Sequence, residues 1–457
     1  MEADSRFTGC NQLEWRFPMK LNTKRTILVG FAFLSICAFW QMYDNLVPLI
    51  LTKTFHISET VSGFIMAADN ILALFLLPLF GGISDKCTSR LGRRRPFIFF
   101  GTLSAVVLMM GLPLLADSYH ASPSGGKLAG FIVILGFLLI AMGTYRSPAV
   151  ALMPDVTPKP LRSKANAIIN LMGAVGGVLY LLVTTFLYST KSETYKSYLP
   201  LFAIVGGVML LSLLVVMLLV NEPKLVAMQR KYEEAHPEEN LAEVTDNGEQ
   251  LPKPVKRSLG FLLISIALWF IGYNGVTTWF STYATTVWNM SEGNATMCLT
   301  IATVGAIVSY IPVGSIASKV GRRRTIRFGT ILLASSFGVC FLYTLVATGF
   351  HPVLYILFVL VGLAWAAINV NSLPMVVEMC KGSEVGKFTG LYYTFSMAAQ
   401  IVTPIVAGAL LEHISYKTLF PYAAIFVAAS CVTMSFVRHG DNKIEAKKGL
   451  EAFDVDD

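Results

Sequence analysis

The chain has 457 residues, of which 54% are hydrophobic and 14% charged, and its mean hydropathy is +0.61. This composition excludes an ordinary soluble protein, because a soluble chain of this length carries far more charge. A bilayer is therefore the expected solvent, and each crossing requires a helix of about 20 apolar residues.

Apolar runs between charged stretches predict twelve membrane-spanning helices. In chain order they cover residues 26–51, 58–83, 96–116, 128–153, 164–189, 198–220, 259–287, 295–317, 326–347, 352–377, 387–411 and 417–437. The first run is longer than the apolar core of a cleavable signal, so we expect it to remain as the first span. The predicted fold class is an all-α membrane protein built from two six-helix bundles.

The predicted domain organisation places one bundle on each side of a polar linker. In order it comprises a terminal segment at 1–25, a first bundle at 26–220, the linker at 221–258, a second bundle at 259–437 and a tail at 438–457.

The distribution of basic residues predicts the topology. With the N-terminus inside, 30 of the 36 lysines and arginines fall in internal segments and 5 in external ones, and Arg146 lies within a span. Basic residues concentrate on the cytoplasmic side of a membrane protein. We therefore expect a multi-pass protein of the plasma membrane with both termini cytoplasmic. The net charge of +8 follows from this anchoring, and no nucleic-acid partner is indicated.

A glycine-rich and basic loop motif occurs twice, once in each predicted bundle. The first copy is Gly81-Gly82-Ile83-Ser84-Asp85-Lys86 followed by Gly92-Arg93-Arg94-Arg95-Pro96, and the second is Gly314-Ser315-Ile316-Ala317-Ser318-Lys319 followed by Gly321-Arg322-Arg323-Arg324. Small residues allow helix ends to pack closely, and a carboxylate with guanidinium groups forms charge-assisted bonds between helix termini. We predict a conformational latch formed by Asp85, Arg93, Arg94, Arg95, Arg322, Arg323 and Arg324. Simple positive-inside anchoring is the alternative.

Two acids at the cytoplasmic ends of the fourth and tenth predicted spans extend this latch. Asp155 and Glu378 each precede a short basic segment, and we expect them to bond to the basic loops in the opposite half of a conformational cycle. A solvated carboxylate at a helix end is the alternative. The second loop has Ser318 where the first has Asp85, so its latch lacks that acid.

These repeated loops resemble the signature of the major facilitator superfamily. The form Ser84-Asp85-Lys86 with Arg90-Leu91-Gly92-Arg93-Arg94-Arg95-Pro96-Phe97-Ile98 looks most like the sucrose-transporter branch, which is related to the glycoside-pentoside-hexuronide cation symporters. The resemblance implies two bundles that rock about a site near the bilayer midplane. In melibiose-type relatives a carboxylate of the second helix serves cation binding, which implies that role for Asp69.

Three ionisable residues lie within predicted spans, where charge is costly and marks function. They are Asp44, Asp69 and Arg146. One guanidinium leaves one of the two acids without a partner, and a coupling cation can supply the missing charge. We assign coupling to Asp69 and Asp44, and favour a proton over sodium because residues 65 and 73, one turn from Asp69, are apolar. No other cofactor and no metal site is expected.

Polar and aromatic residues near these charges predict the substrate site. A sugar requires several hydrogen-bonding groups and an aromatic surface in a dry pocket. The candidates are Trp40, Gln41, Tyr43, Asp44 and Asn45 in the first span, Arg146 in the fourth, Asn274 in the seventh, and Trp365 with Asn369 in the tenth. Interhelical hydrogen bonds and interfacial aromatics are the alternative for the later three, and a structural tie is the alternative for Arg146.

Together these features predict symport of a sugar such as sucrose, maltose or a related glycoside, driven by protons and working by alternating access. The alternative is proton-coupled efflux of a small apolar or cationic compound. An enzyme is not expected, because metalloprotease, hydrolase and P-loop signatures are absent from the sequence. The expected partners are the sugar, the coupling cation and the lipid bilayer, and we expect a monomer.

Overall fold

The computed structural model describes residues 21–158, 161–189, 195–235, 252–347, 349–379 and 385–441. In these ranges it is all-α, and twelve helical segments are long and apolar enough to cross a membrane. The prediction of an all-α protein with twelve spans is confirmed.

The helices are numbered in chain order, α1–α6 in the first half and α8–α13 in the second. They are α1 (Thr23–Leu49, continued by a π-helical turn at Ile50–Thr54), α2 (Glu59–Asp85), α3 (Arg95–Ala121), α4 (Gly125–Asp155), α5 (Arg162–Leu187), α6 (Leu199–Leu219), α7 (Glu222–Ala235), α8 (Lys253–Thr286), α9 (Glu292–Val320), α10 (Arg322–Val346), α11 (Val353–Glu378), α12 (Val385–His413) and α13 (Leu419–Ser435). A short 3-10 turn at Tyr416–Thr418 precedes α13.

Side-chain caps determine where several helices begin. Asn22 accepts a hydrogen bond from the backbone of Arg25 at the start of α1, and Ser291 accepts one from the backbone of Asn294 at the start of α9. Such caps satisfy backbone N–H groups that have no partner within the helix. Gly92 and Gly321 have φ of +112° and +102°, and each lies just before a basic loop enters the next helix. Glycine is favoured there because it adopts positive φ without a steric penalty.

Helix α7 is an element that the sequence prediction missed, since 221–258 was read as linker. The helix lies between the two halves along the chain and packs against the end of α4, where it buries Leu225. The start of α8 at Lys253 also falls inside the predicted linker. Residues 236–251, at the centre of that linker, lie outside the described residues.

The two halves meet on the side of the bundle away from α7. There α2 packs on α12, α5 on α9 and α1 on α8. The backbones come so close that an added Cβ on Gly63 would lie 2.3 Å from the carbonyl oxygen of Pro404, and one on Gly408 would lie 2.4 Å from that of Glu59. We call this contact the seam and the α7 side the linker side.

Polar contacts reinforce the seam. The backbone N–H of Gly293 donates to the carbonyl of Tyr188 at 2.9 Å, and the hydroxyl of Tyr198 donates to Glu292 at 2.7 Å. Burial, and then the adjacent Glu292 carboxylate, raise the pKa of Tyr198 well above its usual value, so this hydroxyl remains a donor. These hydrogen bonds join the two halves at the seam, and the space between the halves extends to Pro154 at the linker-side end of α4.

Candidate functional site

A cavity of about 810 Å³ lies between the two halves. Its size suits a small organic ligand. The residues that line it are Gln41, Asp44, Asn70, Leu77, Arg146, Ser147, Val150, Ala151 and Pro154 from the first half, and Phe270, Tyr273, Asn274, Val276, Thr277, Leu299, Ala302, Thr303, Phe358, Val361, Trp365, Asn369, Tyr392, Tyr393, Ser396, Met397 and Gln400 from the second. The first half therefore contributes all of the charge, and the second half most of the aromatic surface.

The first-half wall carries the charged groups. Gln41 and Asp44 lie one turn apart on α1 and both line the cavity, where the side chain of Asp44 is exposed. The guanidinium carbon of Arg146 lies 5.3 Å from the centre of the Trp40 ring, in a cation–π arrangement. Arg146 forms no hydrogen bond or ion pair to any described residue, so its donors remain free for a ligand.

Asp69 lies behind this wall and does not itself line the cavity. Its Oδ1 accepts a hydrogen bond from Nδ2 of Asn70 at 2.8 Å, and Asn70 is the lining residue. Asp69, Asp44 and Arg146 interact electrostatically with one another. The cluster therefore holds two carboxyl groups and one guanidinium, as the sequence suggested, and the structure brings all three together.

The second-half wall is an aromatic surface. The rings of Tyr273 and Trp365 are stacked, with centres 3.7 Å apart and planes at 5°. The ring of Phe270 is nearly perpendicular to those of Trp365 and Tyr392, with ring centres 5.4 Å and 6.4 Å away. This packing holds Trp365 in one orientation as a flat, rigid surface.

Two amides lie beside this aromatic surface. Asn274 and Asn369 both line the cavity as predicted. Nδ2 of Asn274 is buried and finds no hydrogen-bond partner among the described residues. A buried amide donor without a partner costs free energy, so a ligand acceptor there would be favoured.

Three residues predicted for the substrate site lie elsewhere. Asn45 is buried in the seam, where its amide is bonded to Tyr180 and Ser281. Tyr43 is buried against Phe39 and Trp40, and Trp40 lies behind Arg146. For Asn45 the prediction of direct substrate contact is corrected in this conformation, because α1 turns that side chain towards α5 and α8.

Sequence reasoning missed several residues of the cavity. The polar and aromatic ones are Asn70, Ser147, Phe270, Thr277, Thr303, Phe358, Tyr392, Tyr393, Ser396 and Gln400. A signal existed for two of them, since Ser396 and Gln400 are four residues apart within a predicted span and so share a helix face. Phe270 likewise precedes Asn274 by one turn.

The first basic loop binds acids of its own half on the linker side. Nε of Arg94 donates to Oδ2 of Asp155 at 2.7 Å, and its other nitrogens donate to Asp85 and Ser84. Arg93 lies 3.5 Å from the same oxygen of Asp155. Asp155 was expected to bond to the loop in the opposite half of the cycle. In the structure Arg94 binds Asp155 and Asp85 at the same time.

The second loop repeats this arrangement with one acid fewer. Arg322 donates to Glu378 at 2.6 Å, while the hydroxyl of Ser318 bonds to its own helix. Arg323 donates to the carbonyl of Ser435, and Arg324 is exposed. Each of these pairs joins helices within one half, so here they stiffen each half separately.

Two further acids support the loops and were not predicted. The carboxylate of Glu222, at the start of α7, accepts backbone hydrogen bonds from Arg93, Arg94 and Arg95 at 2.7–3.1 Å. In the second half Asp441 accepts one from the backbone of Arg323 at 3.3 Å. Each carboxylate caps the start of the third helix of its half.

Comparison with known proteins identifies the family. The family model described as Major Facilitator Superfamily matches residues 29–295 and 283–453. Among solved structures, a D-xylose-proton symporter is similar with a TM-score of 0.64 and 15% identity, covering 92% of this chain and 98% of that one. A bacterial homologue of the iron transporter ferroportin, in an inward-facing state, has a TM-score of 0.66 and 13% identity, covering 91% and 99%. At these identities the structures establish the fold alone.

Curated relatives match over a shorter stretch. The sucrose transport protein SUC3 of Arabidopsis thaliana is 39% identical over 139 residues, which is 28% of this chain and 23% of that protein. The sucrose transport protein SUT4 of Oryza sativa subsp. indica is 32% identical over 169 residues, which is 34% of this chain and 28% of that protein. The matched stretch spans about a quarter of the length of these relatives.

Proposed function

Because the chain belongs to the Major Facilitator Superfamily, we propose that it imports a sugar together with protons by alternating access. The observation that carries the proposal is the two-sided cavity. One wall presents Asp44 and Arg146, and the opposite wall presents the stacked pair of Tyr273 and Trp365. Such a site can hold the hydroxyl groups of a sugar on one side and the apolar face of its ring on the other.

The substrate class has support from the relatives. SUC3 and SUT4 are named as sucrose transport proteins, so sucrose or a related glycoside is the first candidate. The cavity volume of about 810 Å³ leaves room for a disaccharide with water. Arg146 offers its free donors to sugar hydroxyl groups, and Gln41 and Asn274 offer amide groups from the two walls.

The coupling ion follows from the charge balance around Asp69. Arg146 is the one cation that the described residues place beside Asp69 and Asp44, so protonation of one acid makes the cluster neutral. A neutral cluster crosses between conformations at lower electrostatic cost than a charged one. We favour a proton over sodium because the described side-chain partner of Asp69 is the amide donor of Asn70, whereas sodium requires several oxygen ligands.

The orientation rests on the distribution of basic residues. The linker side carries both basic loops, and 30 of the 36 lysines and arginines fall in the segments that the sequence predicts to be internal. We assign the linker side to the cytoplasm, with both termini, and place the protein in the plasma membrane. The cavity then opens inwards. We propose that one chain suffices for transport, because the cavity is formed within one copy.

Uptake into proteoliposomes tests the proposal. Labelled sucrose, maltose and a β-glycoside are offered with an inward proton gradient, with an inward sodium gradient, and with no gradient. We expect accumulation of at least one sugar above equilibrium only under the proton gradient, and its collapse on addition of a protonophore. Extrusion of a lipophilic cation with no uptake of any sugar would favour the efflux alternative. Sugar accumulation under the sodium gradient alone would mean that sodium, and not the proton, is the coupling ion.

A further inference from the structure

A hydrogen bond between the two halves lies directly beside the cavity. Nδ2 of Asn45 on α1 donates to the hydroxyl oxygen of Ser281 on α8 at 2.5 Å. The other end of the same amide, Oδ1, accepts from the hydroxyl of Tyr180 on α5 at 2.9 Å. One side chain therefore connects two helices of the first half to one helix of the second.

The burial of this bond distinguishes it from the rest of the seam. Asn45 and Ser281 are each 3% exposed and Tyr180 is 1% exposed. Among the described residues, the other side-chain bonds between halves include at least one partially or fully exposed partner, as between Lys53 and Thr286. A hydrogen bond in a dry seam is stronger than one in water, and leaving either partner unpaired there is costly.

The first-half end of this bond is rigid. An added Cβ on Gly176 of α5 would lie 2.1 Å from the carbonyl oxygen of Leu34 on α1, so these helices are in backbone contact. Tyr180 lies one turn further along α5, where it orients the Asn45 amide. Movement of the second half away from α1 and α5 together therefore breaks the bond to Ser281.

The neighbour of Asn45 in sequence faces the cavity. Asp44 lines the cavity and interacts with Asp69 and Arg146, while Asn45 turns into the seam. A rotation or shift of α1 on binding at Asp44 therefore moves the Asn45 amide as well. The two residues connect the binding site to the seam over one peptide unit.

We propose that Asn45 is a gating residue, whose bond to Ser281 stabilises the conformation closed at the seam. When the seam opens, the amide exchanges Ser281 for water or for substrate entering from that side. This inference rests on the alternating-access part of the proposed function and not on the identity of the sugar or the ion. Loss of one net hydrogen bond shifts the two-state equilibrium on the order of 5-fold.

Labelling from the seam side tests the proposal without substrate or gradient. Thr303 lines the cavity, so Thr303→Cys, with the native cysteines replaced, reports access to it. A membrane-impermeant maleimide is applied to each side of the membrane in turn, and the ratio of the two labelling rates measures the equilibrium in the folded population. We expect Ser281→Ala to raise seam-side labelling about 5-fold relative to labelling from the linker side.

Matched variants separate gating from simple loss of stability. Ser265 is buried on the same helix and bonds to Thr433 of its own half at 2.6 Å, so Ser265→Ala removes a bond without touching the seam. Its labelling ratio should equal that of the parent, and Ser281→Thr, which keeps the hydroxyl, should restore the parent ratio. The labelling ratio of the double variant, Asn45→Ala with Ser281→Ala, should be only slightly higher than that of Asn45→Ala alone. Equal ratios for Ser281→Ala and Ser265→Ala would overturn the proposal whatever the result of the sugar uptake assay.

Discussion

Arg94 donates through Nε to Oδ2 of Asp155 at 2.7 Å, and both residues belong to the first half of the chain. Arg94 precedes α3, Asp155 ends α4, and the other partners of Arg94, Ser84 and Asp85, lie at the end of α2. The guanidinium thus connects the linker-side ends of three helices. In the conformation closed at the seam, the repeated loop gives each half the stiffness to move as one body.

Replacement of Asp155 by Asn should destabilise the protein more than replacement of Asp85. The Arg94 side chain is 6% exposed and Asp155 18%, whereas Asp85 is 57% exposed. A buried guanidinium that loses its partner costs a few kcal/mol, and we expect about 1–3 kcal/mol because Asp85 remains, but under about 1 kcal/mol for Asp85→Asn. Unfolding in detergent, followed by circular dichroism, measures both. Equal losses would contradict the burial argument.

Replacement of Glu222 by Ala should loosen the first basic loop. The carboxylate accepts backbone hydrogen bonds from three consecutive residues and is 1% exposed, so its loss leaves three N–H groups without an acceptor. We expect a loss of about 1–3 kcal/mol in the free energy of unfolding. Asp441→Ala is the matched control in the second half, where a single bond at 3.3 Å predicts a smaller loss. A larger effect at Asp441 would refute the capping role of Glu222.

Replacement of Gly63 by Ala should oppose closure of the seam. The new Cβ would lie 2.3 Å from the carbonyl oxygen of Pro404, which is backbone of the other half and cannot rotate away. Relief requires the halves to separate, so we expect the cavity cysteine reporter to label at least about 10-fold faster from the seam side.

Gly82→Ala on the same helix is the control for this prediction, because nothing lies within 4 Å of its added Cβ. Its labelling from the seam side should match the parent. Unchanged labelling in Gly63→Ala would mean that the helices accommodate the methyl group by a local shift.

Replacement of Trp365 by Ala should weaken sugar binding. Its ring is stacked on Tyr273 and forms part of the cavity wall, so alanine removes the apolar surface offered to the sugar. We expect KM to rise about 10-fold, equivalent to about 1.4 kcal/mol, with kcat less affected. Trp365→Phe should retain most of the affinity because it keeps an aromatic face. An unchanged KM in Trp365→Ala would place the sugar elsewhere in the cavity.

Replacement of Asp69 by Asn should separate coupling from binding. Asn cannot ionise, so proton-driven accumulation should be abolished while exchange of labelled for unlabelled sugar across the membrane continues. Asp44→Asn should impair exchange as well, because Asp44 lines the cavity and Asp69 does not. Both activities are measured in the same proteoliposomes. Full gradient-driven accumulation by Asp69→Asn would exclude Asp69 as the coupling residue.

The cavity shows what sequence reasoning could reach and what it could not. Charged residues are rare within apolar spans and can be recognised from the sequence alone. Asp44, Asp69 and Arg146 were identified in this way, and they interact in the structure. Phe270, Tyr392 and Tyr393 were missed, because aromatic residues are common in spans and their pattern does not separate a cavity wall from a lipid-facing surface.

The latch contacts were also predicted only in part from the sequence. The repeat of the loop predicted that Arg94 and Arg322 would have acidic partners, but Glu222 was missed because it lies 128 residues from Arg94 in sequence. Contacts over such separations depend on how α3, α6 and α7 end beside one another. A polar linker composition gave no indication that α7 begins with a capping acid.

The sequence by itself determined the all-α class, the twelve spans and the presence of charge in the first half, because the bilayer penalises unpaired backbone and charge wherever they occur. Only the tertiary structure decided that Gln41 and Asp44 face the cavity while Asn45 faces the seam. Residues three or four apart share a helix face in any sequence, but what that face meets depends on the rotation of the helix and on its neighbours. For α1 those neighbours are α5 and α8, and packing against them sets which side chain binds and which one closes the seam.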